Sequence, residues 1–208
     1  MTQEKFWIQK TSKLIKDKPN LLAIRSWKII RKENPKKLLD IGCGRSRDIV
    51  YFANKGILVD ASDISKNRIE SVKSYVKHKK IENINFIVTD TKDLKIKKNY
   101  YDVIYSHLSL HYFDEKTLNR ILNRIYKGLK KEGFLFLKWK SMDDPEFGVG
   151  KKIDKRTFDN NGHIKSFFDI EYSKRLLKKF KIFRIRRSSG KYQGHKLTSK
   201  YIEVFARR

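Results

Sequence analysis

Four groups able to do chemistry recur along the first half of this sequence, each where an apolar run ends. The first is Leu38-Leu39-Asp40-Ile41-Gly42-Cys43-Gly44, an apolar stretch that ends in an acid and passes through Gly-x-Gly toward a helix start. Glycines there permit a tight turn and let a ligand approach the backbone with no Cβ in the way. The second is Asp63, which follows Asp40 by 23 residues, the place where a nucleoside site puts an acid to accept from ribose hydroxyls. The third is Asp90, in Val88-Thr89-Asp90-Thr91, able to accept from an exocyclic amine. The fourth is Tyr105-Ser106-His107-Leu108-Ser109-Leu110-His111-Tyr112. His111 could take a proton from a hydroxyl or thiol, or could simply pack. His163, in a later polar stretch, has the same two alternatives.

These groups need elements to hold them. Leu21, Ile24, Trp27 and Ile29 or Ile30 give a helical spacing toward Glu33 after a cap at Asn20, in a first segment that reads as two helices. From Lys37 the pattern becomes strand, turn, helix, repeated. Strands are expected at 38–41, from 57, at 84–89, at 101–105 and at 134–137. Helices are expected between them, one capped by Ser65 with an Ile64–Ile69 staple and one by Asp114 with a Phe113–Leu118 staple. Residues 131–133 would turn the chain into the fifth strand. Such alternation implies right-handed crossovers and a mainly parallel sheet. Residues 141–169 are polar and without clear period, a functional loop. A helix over 171–179 and strands at 182–185 and 201–206 close the chain.

The glycine loop also speaks to the ligand. A nicotinamide dinucleotide site would carry Gly-x-Gly-x-x-Gly with the diphosphate at the helix start, but here Arg45, Ser46 and Arg47 follow Gly44. An acid beside the first glycine suits an ammonium group better than a diphosphate. A ligand with a nucleoside at one end and an amino acid at the other has the shape of S-adenosylmethionine.

Leu39-Asp40-Ile41-Gly42-Cys43-Gly44 resembles motif I of the class I S-adenosylmethionine-dependent methyltransferases. Asp63, Asp90, Tyr101-Asp102-Val103-Ile104 and Gly133-Phe134-Leu135-Phe136 resemble that family's later motifs, in order over residues 37–140. Asp143-Asp144-Pro145-Glu146-Phe147-Gly148 and Gly162-His163-Ile164-Lys165-Ser166-Phe167-Phe168 are similar to the family's small tellurite-resistance-like bacterial and archaeal members. The resemblance implies an α/β, Rossmann-like seven-stranded mostly parallel sheet with helices on both faces and an antiparallel last strand. It implies an N-terminal helical segment over 1–36 and a methyltransferase domain over 37–208, with a substrate lid at 141–170 and closing helix and strands at 171–208. It implies that Asp40, Gly42 and Gly44 cradle the methionine half of S-adenosylmethionine, that Asp63 takes the ribose and Asp90 the adenine amine, and that Ser106 and His107 line the pocket through their backbone. Ser46 stands where the family often has a third glycine.

Composition bounds the rest. With 208 residues the chain suits one domain. It carries 50 Lys and Arg against 23 Asp and Glu, a formal net charge of +27 that could attract a nucleic acid. That excess is mostly lysine and spread along the whole chain, without interleaved aromatic residues or a nucleic-acid-binding motif, so compositional drift is favoured. The single cysteine, Cys43, forms no internal disulfide, and no secretory leader or membrane span is legible, so a cytoplasmic protein is expected. No His or Cys cluster has metal-ligand spacing. Strand four lacks the Asn/Asp-Pro-Pro-aromatic turn of base amino-methylation and the cysteine of pyrimidine carbon-5 methylation. The expected activity is methyl transfer to a small-molecule acceptor. The alternatives are an RNA or ribosome-associated methyltransferase and a non-catalytic binding module.

Overall fold

The computed structural model describes residues 18–45, 47–191 and 197–208. The first expected helix and Ser46 lie outside them. Helix α1 (Leu21–Ile30) leads through a 3₁₀ turn into β1 (Lys37–Ile41), α2 (Arg47–Ala53), β2 (Leu58–Asp63), α3 (Lys66–His78), β3 (Ile84–Val88) and β4 (Tyr101–His107). Then come α4 (Glu115–Gly128), β5 (Leu129–Lys140), the short strands β6 (Lys151–Lys152), β7 (Thr157–Asn160) and β8 (His163–Ser166), α5 (Ile170–Leu176), β9 (Lys181–Lys191) and β10 (Thr198–Arg207).

Seven strands form one sheet in the order β3-β2-β1-β4-β5-β10-β9. Strands β1 to β5 are mutually parallel, and β10 runs antiparallel to both of its neighbours. This is the expected Rossmann-like architecture. Its two cores follow from side-chain alternation along each strand. Leu38, Val103, Phe134, Phe136 and Phe205 pack under α1, α2 and α3. Leu39, Ile104, Leu135, Leu137 and Val204 pack under α4 and α5. Asp114 caps α4 by accepting from Thr117 N–H at 2.9 Å, and Ser65 caps α3 by accepting from Arg68 N–H at 3.4 Å.

Several boundaries differ from the sequence expectation. Strand β4 runs on to His107, so Ser106 and His107 are strand residues rather than part of the loop beyond. The turn expected at 131–133 lies inside β5, as a bulge: Tyr101 pairs with Leu129 but Val103 with Phe134, and Glu132 sits at φ 60°. Helix α5 is shorter than expected, and β9 and β10 are longer, because each finds a partner over its whole length. The segment 141–169 is not a structureless loop. Strands β6, β7 and β8 form a separate antiparallel sheet there. Its hairpin turns through Asn161 and Gly162, both at positive φ (55° and 81°), as an Asn-Gly two-residue turn requires. That dipeptide was the available signal for the hairpin.

Candidate functional site

The ends of β1, β2 and β3 carry Asp40, Asp63 and Asp90 along one edge of the sheet. Gly42 and Gly44 turn the loop after β1 at φ 73° and 56°. Gly42 and Cys43 donate their N–H groups to Ser62 O at 2.8 and 2.9 Å, which ties this loop to β2. Asp63 completes the tie: one carboxylate oxygen accepts from Gly44 N–H at 2.8 Å and the other from Ser65 N–H at 2.9 Å. A Cβ on Gly42 would overlap the Oγ and Cβ of Ser109, so only glycine lets the loop lie against β4's exit. Ser109 is a part of the site that the residue pattern did not single out.

Asp40 is the unusual member. It is 2% exposed, and its Oδ1 has no hydrogen-bond partner among the described residues. Burial, then the nearby Asp48 and Asp63 carboxylates, push its pKa well above the ordinary carboxylate range. A cation placed there would relieve both costs. Asp90 is engaged locally, accepting from Lys92 N–H at 2.9 Å and pairing with the exposed Lys92 ammonium at 3.1 Å.

Near the end of β4, Ser106 is buried and donates its hydroxyl to Ile41 O at 3.1 Å, a strand-to-strand tie. A 3₁₀ turn, Leu110–Tyr112, presents His111. The β6–β8 sheet covers that turn, with Ser166 Oγ donating to Phe113 O at 2.9 Å. The two candidate histidines, far apart in sequence, thereby meet around one ring. Tyr112 lies 4.0 Å from the His111 ring and 5.0 Å from the His163 ring, centroid to centroid. Neither His111 ring nitrogen has a hydrogen-bond partner among the described residues. Burial, with Lys140 and Lys165 nearby, holds its pKa well below the ordinary value. Lys140 in turn reaches Asp144 at 3.0 Å and Glu146 at 2.7 Å, and Glu146 also pairs with Lys165 of β8 at 2.8 Å. Its neighbours bring the Glu146 carboxyl down to about 2.

Two buried polar clusters went unread in the sequence. Asp48, adjacent to the loop, accepts from Asn20 N–H, Asn20 Nδ2 and Tyr105 Oη, each at 2.7 Å. It therefore locks α1 and β4 to α2. Glu203, fully buried in β10, faces Arg25 at 2.9 Å, Lys138 at 3.3 Å and Arg186 at 3.7 Å. A lone acid inside the apolar run of residues 201–206 was the sequence signal for it. Asp102, at the opposite end of β4, accepts from Lys36 N–H and Lys37 N–H and so seats the start of β1. Among the described residues no group of three or more His, Cys, Asp or Glu could hold a metal ion.

Burial brings His107 down to about 4 from 6.5, with Lys138 adding to the shift and Asp48 opposing it. Between those values the unfolded chain binds a proton that the folded chain does not. The His107 contribution is therefore intact above about pH 6.5 and lost as pH falls toward about 4. The raised Asp40 works oppositely, its contribution fading as pH rises through its folded pKa. Thermal unfolding should show Tm falling over that acid window, and less steeply in His107→Gln. Equal slopes for parent and variant would remove His107 as a cause.

Residues 38–133 match the model of a family described as a methyltransferase domain. A protein from Geobacillus sp. (strain WCH70) named as a methyltransferase is 24% identical over 165 residues, covering 79% of this chain and 66% of its own. The chain spans 15%, 66% and 24% of the lengths of three curated relatives it matches. Among solved structures, TehB from Haemophilus influenzae superposes with a TM-score of 0.73 at 18% identity, covering 99% of this chain and 67% of that one. The 1,6-didemethyltoxoflavin-N1-methyltransferase of Burkholderia thailandensis, solved with 1,6-didemethyltoxoflavin and S-adenosylhomocysteine bound, gives 0.68 at 20% identity, covering 90% and 78%. At these identities the structures show a shared fold.

Proposed function

Given that residues 38–133 match a family described as a methyltransferase domain, we propose that this chain is a class I S-adenosylmethionine-dependent methyltransferase that transfers a methyl group to a small-molecule acceptor by in-line displacement. The observation that carries the cofactor assignment is Asp40: a buried carboxylate with one oxygen unpartnered among the described residues, beside two more acids in a chain of net charge +27. An ammonium on Asp40 would satisfy that oxygen and offset the like-charge repulsion. Gly42 and Gly44 leave the backbone open beside it. Asp63 keeps an unused lone pair on each oxygen for the ribose hydroxyls. Asp90 sits one strand further for the adenine amine, one oxygen accepting from Lys92 N–H and the other paired with an exposed lysine ammonium that is cheap to displace. Ser106 and His107 line the floor through their backbone.

S-adenosylmethionine bound there supplies an electrophilic methyl group, so what remains for the chain is to hold an acceptor in line with it. The β6–β8 sheet, as a lid over residues 110–112, would exclude water during transfer. His111 is neutral near pH 7 because of its burial, and it can accept a proton once the lid admits an acceptor. Replacing His111 with Gln should lower kcat by about two orders of magnitude for an acceptor that must lose a proton. Affinity for S-adenosylhomocysteine should be unchanged. An unaltered kcat would assign His111 to packing.

The small-molecule acceptor is favoured over RNA because exposed basic residues lie on both faces of the sheet. Lys66, Lys73 and Lys77 are on α3, and Lys116, Arg120 and Lys127 are on α4. No helix among the described residues is long and apolar enough to cross a membrane. The deciding experiment offers methyl-labelled cofactor with small thiols, oxyanions, amines and total RNA. Label in a small acceptor is the expected result. Label in RNA would select the RNA reading, and no S-adenosylhomocysteine formed on any substrate would select the non-catalytic one.

A further inference from the structure

Strand pairing sets four polar side chains in one row. His107 pairs with Lys138 across β4 and β5, Lys138 with Glu203 across β5 and β10, and Glu203 with Arg186 across β10 and β9. The row lies one pleat beyond the apolar row of Tyr105, Phe136 and Phe205, on the sheet face that carries α1. Over it opens a cleft of about 490 Å³ between α1, the end of β5 and the β9–β10 pair. Among the described residues, five basic side chains line it (Arg25, Lys138, Arg186, Arg187 and Lys200) against two carboxylates, Asp143 and Glu203.

Glu203, at 0% exposure, must serve Arg25, Lys138 and Arg186 together. One negative charge facing three positive ones leaves an excess of two. Asp143 and Arg187, both largely exposed, form a surface pair that offsets only each other. Lys138 is partly desolvated against the Tyr201 ring, 4.3 Å from its centroid, so water does not fully compensate its charge. Among the described residues the cleft therefore carries more positive than negative charge.

We propose that this cleft binds the anionic group of the methyl acceptor, a small molecule bearing a carboxylate or a phosphate. The inference rests on the methyltransferase reading above and adds to it the substrate class. Location supports it. The row starts at His107, on the strand next to the Asp40–Gly44 loop, and Leu108 N–H donates to Lys138 O at 2.8 Å. The row thus leads from Arg186 toward the end of β4, next to the glycine loop, and an acceptor anchored in the cleft would have to lie along it. Size supports it too. The volume falls within the range of about 300–1,000 Å³ typical of small-molecule sites. That is far more than a bare oxyanion fills, so the anion is a handle on a larger acceptor.

The test titrates phenyl phosphate, phenylacetate, benzyl alcohol and a short single-stranded RNA into the protein saturated with S-adenosylhomocysteine. It uses the parent and the Arg186→Ala/Lys200→Ala variant. Both replaced residues are exposed, so Glu203 keeps its two close partners and the fold is retained. One or both anions should bind the parent, and the one that binds better identifies the handle as phosphate or carboxylate. The variant should bind that anion about tenfold or more weakly, the loss of a charged hydrogen bond, with unchanged affinity for S-adenosylhomocysteine. Equal binding of benzyl alcohol, equal anion affinity in the variant, or residue-dependent binding of the RNA alone would overturn the proposal. Absence of S-adenosylhomocysteine binding in the parent would instead overturn the methyltransferase reading, and this proposal with it.

Discussion

If Asp63 holds the ribose as proposed, Asp63→Ala should weaken binding of S-adenosylmethionine by roughly two orders of magnitude, because two charged hydrogen bonds are worth about 3 kcal/mol or more together. The same side chain does structural work in the ligand-free protein. It holds Gly44 N–H at 2.8 Å and Ser65 N–H at 2.9 Å, so the glycine loop is pinned to the end of β2 and to the start of α3. Alanine removes both anchors along with the ribose acceptors. Asp63→Asn separates the contributions: its one remaining acceptor oxygen can keep a single backbone tie, while the charge is gone. Calorimetric titration of the three proteins should rank them parent, Asn, Ala in falling affinity. Parent-like affinity in Asp63→Ala would show that the ribose is held elsewhere.

The largest loss of stability should come from Glu203→Gln. Glu203 is fully buried, and Arg25 forks onto it with Nη1 at 2.9 and 3.1 Å from its two oxygens. Breaking a buried ion pair from one side costs about 3–5 kcal/mol, because the partner charges stay behind. Here Arg25 and Arg186 reach solvent in part, with side chains 29% and 44% exposed, so the lower end applies. About 3 kcal/mol corresponds to a Tm lower by roughly 6–12 °C for a chain of this size. Glu203→Leu should do no better, since it also leaves Lys138 without its acid. A melting temperature within a degree or two of the parent would mean that water reaches these cations freely. That result would also weaken the case for an anion in the cleft above them.

Much of the fold was legible because strands β1 to β5 and their helices obey local rules. Leu118, Ile121, Leu122 and Ile125 all turn out buried, on the face that helical spacing assigns them. The caps at Ser65 and Asp114 stand where hydroxyl and carboxylate side chains precede helical runs. The parts that were misread share a cause. The residues of β7 and β8 are too few and too polar for periodicity to show, so the Asn161-Gly162 turn was the better guide to them. Ser106 and His107 continue β4 because β5 offers them Leu137 and Lys138 as partners, which no local pattern announces. Asp102 resembled part of the functional series, yet it sits at the other end of its strand and seats Lys36 and Lys37.

By itself, then, the sequence determined the alternation of strand and helix and the placing of Asp40, Asp63 and Asp90 at successive strand ends. It also determined the glycine loop, because a positive φ and a near-zero side-chain volume are demands on single residues. Only the tertiary structure decided what surrounds them. Pairing of distant strands buries Asp40 with an oxygen unpartnered among the described residues. The β6–β8 sheet folds over the turn after β4 and brings both His111 and His163 against Tyr112. Strand β10 inserts between β5 and β9, and so aligns His107, Lys138, Glu203 and Arg186. Each of these depends on which strands become neighbours, a long-range choice made by burial and hydrogen bonding over the whole sheet rather than by the residues at any one position.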